Sequence, residues 1–65
     1  MPIVIIHRKQ KINLDAAEIR VDDALTRLGF PPESYLVIRD GEMLSHDDLL
    51  YDGDEIKLIA VIMGG

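Results

Sequence analysis

Apolar residues along this chain fall into short runs divided by polar breaks, and the spacing within each run predicts its element. Residues 2–7, "PIVIIH", are β-branched and continuous, the pattern of a strand buried on both faces and central in its sheet. After the polar stretch "RKQK", Ile12 and Leu14 alternate with Asn13 and Asp15, as in a strand with one buried face. The two segments read as an opening hairpin. Val21, Ala24, Leu25 and Leu28 then share one helical stripe, with Asp22 and Asp23 placed to favour the positive N-terminal end. Gly29 can take a left-handed stop conformation and Pro31 and Pro32 forbid continuation, so the helix runs from about Arg20 to Leu28. Arg20 stands where a hydroxyl cap would serve better.

Further on, Asp40 and Gly41 separate two apolar segments in "SYLVIRDGEML" and tolerate the positive φ angles of a two-residue hairpin turn. In "SHDDLL", Ser45 and Asp48 have capping-box spacing, which predicts one short helical turn. "YDGD" turns the chain into a last strand, "EIKLIAVIM". Its alternation sets Ile56, Leu58, Ala60 and Ile62 on one face and Lys57, Ile59, Val61 and Met63 on the other. One helix can cover only one of these faces. The other is either an exposed apolar patch of the kind that receives a partner, or the second side of a doubly buried central strand.

Length and charge narrow the classes of function. At 65 residues the chain makes one domain, near the size at which a single core only just offsets the entropy of ordering. With 48% hydrophobic and 29% charged residues it reads as globular rather than disordered or fibrous. A formal charge of −5 repels phosphate backbones; Arg8, Lys9 and Lys11 are the only candidate basic stripe and read as a solvated hairpin tip, so no direct nucleic-acid binding is expected. Cysteine is absent, which removes disulfides, thiolate ligands and a cysteine nucleophile. The longest apolar run, 58–63, is far below the ~18 residues of a membrane span, and "PIVII" is too short for a signal peptide. The expectation is a soluble, untargeted, cytoplasmic protein that makes no membrane contact and is monomeric when free.

Catalytic constellations are poor. His7, His46, Asp47 and Asp48 match no metal-site spacing, and "DGD" lacks the further oxygen ligands of a calcium loop. Ser34 and Ser45 have no nucleophile-elbow context, and a chain this short leaves little room for a cavity. The remaining chemistry is at the end of the sequence. Gly29, Gly41 and Gly53 fall at turns or a helix end, but Gly64 and Gly65 have no such local task. Two residues without side chains can thread a cleft that excludes any β-carbon and deliver a terminal carboxylate to another enzyme. A carboxylate is a poor electrophile, so it must first become a mixed anhydride such as an acyl-adenylate.

A short leading strand, the helix pattern "VDDALTRLG" and the ending "DGDEIKLIAVIMGG" resemble the ubiquitin-like sulfur carriers of the ThiS and MoaD group and related small protein modifiers. The likeness extends over nearly the whole chain, and the ending is its most specific part; the length of 65 residues is nearer ThiS than the longer MoaD. The resemblance implies an α+β fold of β-grasp type, residues 1–65 as one domain with a flexible tail at 63–65, and parallel first and last strands at the centre of a mixed sheet. It implies no cofactor bound by this chain. An adenylating enzyme would use ATP to activate Gly65, with Gly64 beside it, and sulfide from a persulfide donor would give a thiocarboxylate. That group would serve a sulfur-accepting synthase in thiamine-thiazole synthesis, a tRNA thiolase making thiouridine ("VIRDGEML" also resembles carriers serving that process), or molybdopterin. The same activation could instead join Gly65 to target-protein lysines, and a plain β-grasp binding module with an inert tail is the third alternative. By the family's pattern Ile56 and Leu58 face the helix with Ile3 and Ile5, leaving Lys57, Ile59, Val61 and Met63 toward the activating enzyme.

Overall fold

Strand β1 (Ile3–His7) pairs antiparallel with β2 (Gln10–Leu14) through a tight connection at Arg8 and Lys9, and Ile12 and Leu14 turn inward as their alternation predicts. The computed structural model of the chain describes residues 1–61. A short strand β3 (Glu18–Arg20) leads straight into helix α1 (Val21–Arg27). After a 3-10 turn at Pro32–Ser34 come β4 (Tyr35–Arg39), β5 (Glu42–Leu44), β6 (Leu49–Tyr51) and β7 (Glu55–Ala60). Five strands form one mixed sheet in the order β2-β1-β7-β4-β5, while β3 and β6 pair separately. β7 is its middle strand, parallel to β1 and antiparallel to β4. A mixed sheet laid over one helix, with first and last strands as parallel neighbours, is the β-grasp arrangement implied by the resemblance.

The core lies between the sheet and α1. Ile3, Ile5, Val37, Ile56 and Leu58 point inward from the strands to meet Val21, Ala24 and Leu25 of the helix, all of them buried. The doubly buried reading of residues 2–7 is corrected here. β1 is an interior strand, but only Ile3 and Ile5 are covered; Val4 and Ile6 on its other side are half-buried, because the single helix screens one face of the sheet. The same cause settles β7, where Ile56 and Leu58 are buried and Lys57 and Ile59 are exposed.

The helix is held at both ends by backbone groups. Gly29 has φ of 87°, and its N–H donates to the Thr26 carbonyl at 3.1 Å while the Phe30 N–H donates to the Leu25 carbonyl at 2.8 Å. These crossed bonds satisfy carbonyls that the last turn leaves open. At the start, Arg20 provides no side-chain cap. The Val21 N–H reaches the Asp48 carbonyl at 2.9 Å, the Asp22 N–H reaches the His46 carbonyl at 3.0 Å, and the Asp23 N–H is taken by Asp22 Oδ1 at 2.8 Å. Carbonyls of the 45–48 loop thus replace the missing hydroxyl. That loop is a β-turn and not the expected helical turn: the Asp48 N–H donates to the Ser45 carbonyl at 3.1 Å, and Asp48 Oδ2 accepts from the Ser45 N–H at 2.7 Å. A helical turn here would aim these carbonyls along its own axis and leave the N-terminus of α1 unsatisfied.

One ion pair ties the end of β4 to the turn between β6 and β7. Arg39 Nη1 donates to Asp54 Oδ2 at 2.9 Å and to the Leu49 carbonyl at 3.2 Å, and the Tyr51 N–H donates to the same Asp54 oxygen at 2.8 Å. The carboxylate thereby fixes the turn between β6 and β7 against the end of β4. Asp54→Ala is expected to lower stability by about 2 kcal/mol, since it removes two charge-assisted bonds. In a domain this small that lowers the melting temperature by on the order of 10 °C. Asp54→Asn, which keeps an acceptor for Tyr51, should recover part of the loss when both variants are melted beside the parent.

Candidate functional site

The register of the sheet builds a continuous outer face from the residues that the helix does not cover. Lys11, Ile6, Lys57, Ile38 and Met43 form one row across all five strands, each paired with its neighbour. Beside this row Leu36 lies opposite Ile59. Leu36 is 37% exposed, Ile59 44% and Met43 63%, so apolar surface is presented to solvent from three strands. The exposed Lys57 stands in the middle of it, with Ile6 and Ile38 on either side. A shallow depression of about 310 Å³ opens here, lined by Ile6, Ile38, Lys57, Glu55 and the Asp40–Gly41 turn. Lys57 makes no ion pair among the described residues. An apolar patch with one free cation at its centre suits a protein surface that is itself apolar and carries a matching acid.

Beyond Ile59 the chain is guided by the end of the sheet. Tyr35 pairs with Ala60, and the Val61 N–H donates to the Ser34 carbonyl at 2.8 Å, so the 3-10 turn before β4 holds the last described residue. Three rings close the core at this end. His7 lies 4.8 Å from Phe30 and 5.5 Å from Tyr35, and Phe30 and Tyr35 meet edge to face at 5.4 Å. The histidine that ends the first strand is therefore part of an aromatic cluster. His46 and Asp48 lend their backbone carbonyls to the start of α1, with Asp47 between them in the turn, and among the described residues no group of three or more His, Cys, Asp or Glu side chains could hold a metal ion. No helix of the described residues is long and apolar enough to cross a membrane.

Of the residues singled out from the sequence, Lys57 and Ile59 share the exposed face and Val61 follows them, half-buried. Met63, Gly64 and Gly65, with the tail expected at 63–65, lie outside the described residues. Sequence reasoning missed the contributions of Ile6, Leu36, Ile38 and Met43 to the same face. The signal was available in "YLVIR", where burial of Val37 forces Leu36 and Ile38 to the opposite side.

The chain is similar to a solved structure, the thiamine biosynthesis protein (ThiS) from Geobacter metallireducens, at a TM-score of 0.66 and 24% identity, over 95% of this chain and 99% of that one. At that identity the likeness is one of fold. No curated protein matches the chain. Residues 4–65 match the sequence model of the ThiS family, so the match runs through β1, the helix, the outer face and the closing glycines. Members of that family are small sulfur carriers rather than enzymes, and they work between an activating enzyme and a sulfur-accepting synthase. By this match over nearly its whole length, the chain belongs to the ThiS family.

Proposed function

We propose that this chain carries sulfur for the thiazole of thiamine, with Gly65 as the reacting residue. One observation carries the reading: the family match includes Gly64 and Gly65 together with the strand that leads to them. The Geobacter protein of the same fold is a thiamine biosynthesis protein, which favours thiazole over other acceptors. In the first step a carboxylate oxygen of Gly65 attacks the α-phosphate of ATP on the adenylating enzyme, and pyrophosphate leaves. The outer sulfur of a persulfide donor then attacks the acyl carbon and expels AMP, and a thiol cleaves the resulting acyl disulfide, leaving the thiocarboxylate and, on the donor side, a disulfide. ATP is bound by the partner enzyme and not by this chain. Four residues, 62–65, follow Val61, and four extended residues reach at most about 14 Å, enough to enter a narrow cleft while the sheet stays outside.

The outer face is the docking surface in this reading, with Lys57, Ile59, Val61 and Met63 turned toward the activating enzyme. Ile59→Asp places a charge in the apolar patch without touching the core. It is expected to raise the KM for the carrier by about tenfold or more in ATP–pyrophosphate exchange and to leave the melting temperature near that of the parent. Unfolding of this variant would mean that the faces are reversed. The chemistry itself is read by intact mass after incubation with the adenylating enzyme, ATP and a sulfide source. Replacement of one oxygen by sulfur at Gly65 supports the carrier. Glycyl remnants on lysines of other proteins would mark a covalent modifier, and transfer of the sulfur to tRNA in place of the thiazole would redirect the pathway.

A further inference from the structure

We propose that the β1–β2 hairpin tip is a second contact site, a basic prong that meets an acidic protein surface bordering the cleft where the adenylating enzyme receives residues 62–65. The inference rests on the carrier reading above and adds a partner surface separate from the apolar face. Its first support is backbone geometry. Arg8 has φ of 59°, a left-handed conformation that a β-carbon disfavours and glycine adopts freely. The other two-residue hairpin, with φ of 53° at Asp40 and 80° at Gly41, uses the residue types such a turn demands. Arginine at position 8 does not serve the turn, and strain of this kind persists where a side chain has another task.

Charge placement points the same way. Arg8, Lys9 and Lys11 are exposed and make no ion pair among the described residues, whereas Arg20 and Arg39 are matched to Asp22 and Asp54. β1 and β7 are parallel with His7 beside Leu58, so the tip immediately after His7 flanks the stretch from Ile59 to Val61. Asp15, Asp40, Glu42, Asp54 and Glu55 gather at the opposite end of the sheet, and Glu33 on the 3-10 turn is the acid near the basic end. A chain of net charge −5 thus presents Arg8, Lys9 and Lys11, three cations without an ion pair among the described residues, at the end of the sheet where Val61, the last of those residues, lies. A molecule polarised in this way approaches an acidic surface with that end leading. The net charge disfavours a nucleic-acid backbone as the partner. An open depression lined by His7, Arg8, Lys9 and Gln10 offers a carboxylate-bearing side chain a seat against the tip.

The test is ATP–pyrophosphate exchange catalysed by the adenylating enzyme of the same organism, with the carrier as varied substrate. Arg8→Glu/Lys9→Glu is expected to lower kcat/KM by on the order of tenfold at ~50 mM salt with kcat unchanged, and the gap should close near ~1 M salt. Arg8→Gly, which relieves the backbone, should lower kcat/KM by roughly two- to threefold while raising the melting temperature. A purely structural role cannot move those two readouts in opposite directions. An unchanged kcat/KM in the double variant, a loss that persists at high salt, or a loss confined to kcat overturns the proposal while leaving the carrier reading intact. Loss of transfer-RNA retention in a gel with exchange preserved overturns it as well, in favour of nucleic acid. A parent chain that supports no exchange removes the carrier reading and this inference together.

Discussion

Removing Gly64 and Gly65 is expected to abolish pyrophosphate exchange and sulfur loading while leaving the melting curve unchanged. The buried core ends at Leu58, and Val61, the last described residue, is tied by its N–H to the Ser34 carbonyl, so the expected effect falls on the reaction and not on the core. The proposed work of the two glycines lies in another protein's cleft, where a carboxylate oxygen of Gly65 must approach the α-phosphorus in line with the departing pyrophosphate. A single β-carbon is enough to disturb that alignment. Gly65→Ala should therefore lower the exchange rate by on the order of a hundredfold, the penalty of a displacement of about 1 Å at a reacting centre. Exchange assays and intact mass on the same preparations check both variants. A shortened chain that still gains sulfur would place the reacting group elsewhere.

A large loss of stability is expected at Leu58, which β7 directs into the core. Leu58→Ala should cost about 2 to 5 kcal/mol, part from lost burial and part from the cavity left under α1. A domain of this length has only roughly 3 to 10 kcal/mol in total, so the variant is expected to be largely unfolded at physiological temperature. Urea titration at low temperature measures the difference. Ile59 is the adjacent residue and 44% exposed, and its substitution should scarcely move the midpoint. The contrast between neighbours tests which way the strand faces more sharply than either variant alone. A Leu58→Ala chain that melts with the parent would contradict its core role.

Much of this architecture is legible as periodicity. The step of two in "INL" and "EIKLIA", the step of three and four in "VDDALTRL", and the Asp40–Gly41 turn each specify an element whose signal is local. The helix predicted from about Arg20 to Leu28 is observed at Val21–Arg27 with those two residues as its caps. What stays hidden depends on distant partners. β3 holds one apolar residue between two charges, and β6 is three residues without alternation; each becomes a strand only because Ile19 pairs with Leu50 far along the chain. The outer faces of β1 and β4 carry isoleucine, valine and leucine just as buried faces do, so composition cannot show that nothing covers them. Parity puts Lys57 and Ile59 on the exposed face, as observed, but the row that joins Lys57 to Ile6, Ile38 and Met43 is set by register across strands.

The position of β7 also governs when the protein becomes competent during synthesis. It is inserted between β1 and β4, which have no direct pairing with each other, yet it is the last described strand to leave the ribosome. A nascent chain lacking it holds two separate hairpins and a seven-residue helix too short to persist alone. Copies that end before β7 are therefore expected to stay unfolded and open to proteolysis, leaving the proposed activating enzyme to finished chains.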